Sequence, residues 1–271
     1  MGKFDWYQTT VRTGNPQESG LVDAILRAYP LTDYAPCTGQ NGYSFGGQFV
    51  RGSSVVCRLS WGGQPGVNVT ATSDNAPALS GALRELRIPH SPTRIDTALD
   101  WEEEGLFESL SGGLIAFAQE RRLAIMQVGD WIRGEGRTLY IGSKDSAVRL
   151  VLYEKGAEQG CTHRPNWVRL EARIRPKGDA RALAMTFDPM DVFSCGWLTE
   201  ALDAIDFEHG LSKRTIGTIW RKSDTERARA ALLKQYGGIL RAWADESGGW
   251  SELGEVLGES LASSQLDVNP A

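Results

Sequence analysis

The 271-residue chain has only three histidines (His90, His163 and His209) and four cysteines (Cys37, Cys57, Cys161 and Cys195), none of them paired in sequence. Without a Cys-x-x-Cys or His-x-His element it offers no zinc-type ligand cluster. Each histidine reads as structural or exposed, the thiols read as reduced, and Cys57 reads as a small apolar filler within a strand. No run of about 18 apolar residues occurs, which excludes a spanning helix of ordinary length. The opening MGKFDWYQTTV has neither the basic nor the apolar block of a secretory leader, and the expectation is a cytoplasmic protein with no membrane partner. Hydrophobic residues make up 41% of the chain, enough for one large domain or two small ones.

What charge there is sits unevenly. The formal net charge is −5, which argues against a general nucleic-acid binder. Yet residues 120–182 carry 13 Lys and Arg against 8 Asp and Glu. The flanking segments are acidic, with 8 against 12 over residues 1–119 and 8 against 14 over 183–271. An anionic ligand would be drawn to the middle segment.

Periodicity predicts an α+β fold. Strands are expected at 6–11, 43–50, 55–61, 67–72, 93–100, 125–132, 138–142, 148–155 and 167–175, and helices at 19–28, 78–86 and 105–122. The order of strand, helix, several strands and helix occurs twice. Two similar strand-helix-multistrand halves (residues 1–92 and 93–196) would then form an extended, mostly antiparallel sheet with helices on one face. Residues 197–271 read as a helical C-terminal region. In it Leu232, Leu233, Tyr236, Ile239 and Leu240 predict a buried stripe, and residues 263–271 a frayed tail.

Two consecutive strands carry an unusual face. From Val148, alternation puts Arg149, Val151, Tyr153 and Lys155 on one side and Leu150, Leu152 and Glu154 on the other. From Trp167 it puts Arg169, Glu171, Arg173 and Arg175 opposite Val168, Leu170, Ala172 and Ile174. A solvated sheet face accounts for such a pattern in general. The residue mix also matches metal-assisted phosphoryl transfer through a tyrosine nucleophile, because a phenol with a reference pKa of about 10 needs activation and carboxylates suit a hard cation.

The stretch Tyr140, Gly142, Ser143, Ser146, then Tyr153-Glu154-Lys155, Glu158 and Arg169-Leu170-Glu171 resembles the replication initiation factor family. That family comprises rolling-circle initiators of plasmids and filamentous phages and related conjugative relaxases. TRIDTALD at 93–100 is similar to its Arg-x-Asp-x-x-x-Asp strand, and DWYQTT near the start has its character. The resemblance spans roughly residues 4–190 and implies an enzyme that nicks one strand of origin DNA. A tyrosine becomes joined to the 5′ phosphate, a 3′ hydroxyl is left as primer, and the strand is later rejoined. A mobilisation relaxase and a DNA-binding regulator without the chemistry remain alternatives.

The expected site follows from both readings. Tyr153 is the candidate nucleophile, with Tyr140 its rival, and Lys155 shares its face. Asp96, Asp100 and Glu171 are candidate ligands for Mg²⁺ or Mn²⁺, with Glu154 ranked below Glu171 because alternation turns it away. Lys144, Arg149, Arg169 and Arg173 are candidate phosphate contacts. Origin DNA, supercoiled or single-stranded, is the implied partner, and a host helicase and a second copy of the chain are further candidates.

Overall fold

In the computed structural model, which describes residues 2–217 and 224–266, every strand belongs to one ten-stranded sheet. In chain order the elements are β1 (Lys3–Val11), α1 (Leu21–Ala28), β2 (Asp33–Thr38), β3 (Phe45–Arg51), β4 (Ser54–Trp61), β5 (Val67–Thr72) and α2 (Ala76–Glu85). The second half repeats the sequence of types: β6 (His90–Glu102), α3 (Leu106–Glu120), β7 (Ile125–Asp130), β8 (Glu135–Ile141), β9 (Val148–Glu154), α4 (Lys155–Glu158) and β10 (Trp167–Ile174). Four further helices follow as α5 (Ala180–Ala184), α6 (Pro189–Val192), α7 (Leu198–Asp203) and α8 (Asp224–Ser247), with α9 (Trp250–Leu266) last.

The strand order is β2-β3-β4-β5-β1-β6-β10-β9-β8-β7, and every pairing is antiparallel. Read outward from the centre, β1-β5-β4-β3-β2 mirrors β6-β10-β9-β8-β7. Both expected halves are therefore present, but they share one sheet across the β1–β6 pairing and form one compact unit, Met1–Thr218. A second unit is Ile219–Ala271, so the boundary lies past the expected position at 197. The reason is burial: Leu198, Ala201 and Leu202 of α7 are fully covered within the first unit's core.

Alternation decides which face is apolar. Ile95 and Leu99 of β6, Leu170 and Ile174 of β10, Leu150 and Leu152 of β9 and Leu139 of β8 point to one side. There they form one buried cluster with Ile25 of α1, Leu79 of α2 and Leu114 of α3. Fully burying a Leu or Ile side chain contributes about 1.5–3 kcal/mol, so this face fixes the register of every central strand. The opposite face is thereby left to the polar set.

Two expectations about elements are corrected. The chain forms a strand at Asp33–Thr38 where none was expected; it contains Pro36, which an edge strand tolerates because one row of its backbone groups has no ladder partner. In the second unit Leu232, Leu233, Tyr236 and Ile239 are exposed, at 49%, 63%, 47% and 64%. Burial there falls instead on Ala244 of α8 and Leu253 of α9. The last five residues of the expected tail lie outside the described residues.

Candidate active site

Cross-strand register assembles the site. On the polar face one row runs Arg149 (β9), Arg173 (β10), Asp96 (β6), Trp6 (β1) and Thr72 (β5). The next row contains Tyr140 (β8), Val151 (β9), Glu171 (β10) and Ala98 (β6), and the one beyond contains Thr138 (β8), Tyr153 (β9), Arg169 (β10) and Asp100 (β6). Glu171 is thus a diagonal neighbour of both Asp96 and Tyr153, within the reach of long side chains on one sheet face.

Asp96 and Glu171 are both buried, at 1% and 8% exposure. Two guanidiniums hold Asp96: Arg94 donates from Nε at 2.9 Å and also pairs through Nη2, and Arg173 donates from Nε at 2.8 Å. Arg173 reaches Glu171 as well, from Nη2 at 3.0 Å. Burial and the Asp96 carboxylate push Glu171 up to about 7, against the opposing charge of Arg173. A donor set of two crowded carboxylates is what a hard divalent cation relieves, so by donor type this pair fits Mg²⁺ or Mn²⁺.

Asp100 is not brought to that pair. Both its oxygens accept from Arg169, Oδ1 from Nε at 2.7 Å and Oδ2 from Nη2 at 2.9 Å, and the Trp167 indole donates to Oδ1 at 2.8 Å. Arg169 is itself buried and also donates to Asp5 at 2.9 Å. Burial alone would raise Asp100, but these hydrogen bonds hold its carboxyl below the usual range. Among the described residues no group of three or more His, Cys, Asp or Glu side chains gathers as a metal site.

Tyr153 is half-buried. Burial and the Glu171 charge push its phenol well up, and the Arg169 guanidinium pulls it back only in part. Lys155 opens α4 rather than extending β9; its Nζ pairs with Glu158 at 2.6 Å and still lies 5.5 Å from the Tyr153 ring centroid. Tyr140 stands one strand farther from Glu171, with Val151 between them, and its ring carries the Arg149 guanidinium at 4.2 Å. Glu154 lies on the opposite face, as alternation requires. It accepts from the Arg137 backbone N–H and from Nη2, each at 2.7 Å.

The expected phosphate contacts divide into two kinds. Arg169 and Arg173 are occupied by carboxylates. Lys144 and Arg149 have no carboxylate within salt-bridge distance among the described residues, and with Tyr140 and Ser143 they line a cleft of about 350 Å³. Local geometry explains the Tyr-x-Gly-Ser spacing beside it. Gly142 has φ +88°, and a Cβ there would lie 2.8 Å from the Val148 carbonyl oxygen, so only glycine suits the turn. Ser146 then closes that turn by donating from its backbone N–H to the Ser143 carbonyl at 3.1 Å.

Sequence reasoning missed Asp5 and Arg94. Asp5 falls at a register shift in the β1–β6 pairing, which simple alternation does not anticipate. Arg94 is a non-acidic member of the TRIDTALD strand, and only the structure pairs it with Asp96 while stacking it 4.0 Å from the Trp6 ring centroid.

Comparison with known proteins bears on the same region. No curated protein matches the chain. Among solved structures, a rolling circle replication initiator protein from Geobacillus stearothermophilus is 20% identical, with 76% of this chain and 78% of that one covered and a TM-score of 0.48. Residues 91–218, which include β7 to β10 and all of β6 but its first residue, match the profile of the replication initiation factor family. The segment that builds the Tyr153, Asp96 and Glu171 cluster lies within the residues that match this profile.

Proposed function

We propose that this protein is a rolling-circle replication initiator that nicks one strand of origin DNA through Tyr153 and later rejoins it. The observation that carries the reading is a phenol beside a buried carboxyl pair, on a sheet face lined with guanidiniums, inside the region that matches the family. The Tyr153 oxygen would attack the scissile phosphorus; the bond from phosphorus to the 3′ oxygen breaks as the 5′-phosphotyrosine bond forms. The phenol loses a proton and the 3′ oxygen gains one, so the nick is proton-neutral. Rejoining is the reverse attack by the 3′ hydroxyl.

This phenol is a poor nucleophile as it stands, since burial and Glu171 disfavour the phenolate. Positive charge must offset that. Arg169 is its direct cross-strand neighbour and Lys155 lies over its ring, so both favour the phenolate. Asp96 and Glu171 would hold Mg²⁺ or Mn²⁺, which when bound supplies charge for the phosphate oxygens. Lys144 and Arg149, which have no carboxylate partner among the described residues, would hold the flanking backbone phosphates. Incubation with supercoiled DNA carrying the replicon's own origin and Mn²⁺, followed by a denaturing gel, tests the reading. A single strand-specific break is expected. Binding without any break would favour a DNA-binding regulator on this fold.

A further inference from the structure

The half-sheet that lacks the tyrosine carries a cleft of its own, of about 690 Å³, on the β1, β4 and β5 side of the structure. Its lining includes Trp6, Gln8, Arg58, Thr70, Thr72 and Arg94, with Gln40 among the exposed lining residues. The volume lies within the range of about 300–1,000 Å³ usual for small-molecule clefts. Mirror strand order makes β1, β5 and β4 the counterparts of β6, β10 and β9. On β6 and β10 stand the carboxylates Asp96 and Glu171. On β1 and β5 stand the amides Gln8 and Asn68, which bond to each other at 3.2 Å. An arginine is present on the third strand in both halves, Arg149 on β9 and Arg58 on β4.

That exchange has a chemical consequence. Amides neither repel phosphate nor bind a hard cation well, and they offer both donors and acceptors to a base edge. The cleft keeps hydroxyls, amides, an indole and two guanidiniums while losing every acid among the residues that line it. Two buried donors in its lining residues, Trp6 Nε1 and Arg58 Nε, have no hydrogen-bond partner among the described residues, and unsatisfied groups of this kind call for an explanation. The cleft also adjoins the site directly, because Arg94 stacks on Trp6 and pairs with Asp96.

We propose that this cleft is a non-catalytic nucleotide subsite, which holds an unpaired nucleotide of the single-stranded DNA running from the Tyr153 site. Trp6 provides an apolar face, Arg58 meets the phosphate, and Gln8, Thr70 and Gln40 meet the base edge. The ligand assignment rests on the nicking reading, but its test does not depend on cleavage.

The full chain is titrated with fluorescein-labelled single-stranded oligonucleotides of about 12 nucleotides, within the footprint usual for such grooves. Mixed-sequence and oligothymidylate probes are used, with 5-iodouracil versions for photocross-linking. Arg58→Gln and the rim variant Gln40→Ala should each weaken binding by about fivefold or more, and cross-links should map to the peptide containing Trp6. Arg27→Gln on α1, a charge control outside the cleft, should bind as wild type does. Weakened binding by these variants supports the subsite even if Tyr153→Phe nicks normally, so the two readings fail separately. The proposal is overturned if both cleft variants bind within about twofold of wild type. It is equally overturned if Arg27→Gln weakens binding as much as Arg58→Gln, since bulk charge would then suffice.

Discussion

Glu171 and Asp96 stand as diagonal neighbours on adjacent strands, and Arg173 donates to both, at 3.0 and 2.8 Å. One guanidinium thus holds two buried carboxylates, and burial together with the Asp96 charge pushes Glu171 up to about 7. A buried acid pair kept this close is poorly suited to a purely structural role, because replacing such groups by apolar ones is often neutral or stabilising.

Removing either carboxylate should separate cleavage from binding. Glu171→Gln and Asp96→Asn are each expected to lower nicking by orders of magnitude, because an amide is a weak ligand for a hard cation. Affinity for DNA should be kept or rise, since negative charge near phosphate has gone. Quantifying nicked and bound fractions on the same samples checks both. Undiminished cleavage by metal-depleted protein in a chelator would remove the metal role.

Asp100 should behave as the counter-ion of Arg169. Its folded pKa lies below the usual value, so its contribution to stability is full above the unfolded pKa of about 3.8 and is lost as pH falls through the folded value. Asp100→Asn should therefore be less stable than wild type at about pH 7, and the gap should close towards about pH 3. Arg169→Met, which leaves Asp100 and Asp5 unpaired, should cost about 3–5 kcal/mol at neutral pH. Urea unfolding across that pH range reads both effects.

The salt dependence of DNA binding should rest on the unpaired cations. Neutralising Lys144 or Arg149 is expected to reduce the slope of log K against log salt by about 0.7 each on single strands. Lys234→Gln and Arg241→Gln on α8 should leave the slope unchanged. A slope carried by the α8 pair instead would make the C-terminal unit the principal DNA contact.

Much of this arrangement was legible because period-two alternation is unforgiving. Arg149, Val151, Tyr153, Arg169, Glu171 and Arg173 share a face because Leu150, Leu152, Leu170 and Ala172 must share the other. What alternation cannot supply is partnership between strands distant in sequence. Arg169 looked available for phosphate until β6 brought Asp100 beside it, and Asp100 looked like a ligand for the same reason. The C-terminal stripe misled differently: Leu233 and Ile239 have helical spacing, but spacing does not say whether anything covers them.

The central claim is that Tyr153 is the nucleophile, and the covalent adduct tests it most directly. Wild-type protein, Tyr153→Phe and Tyr140→Phe are each incubated with origin DNA and Mn²⁺, denatured, digested and examined by mass spectrometry for a nucleotide-linked peptide. The account predicts that wild type and Tyr140→Phe carry the DNA on the peptide containing Tyr153, and that Tyr153→Phe carries none while still binding DNA. An adduct that persists in Tyr153→Phe and disappears in Tyr140→Phe would contradict it.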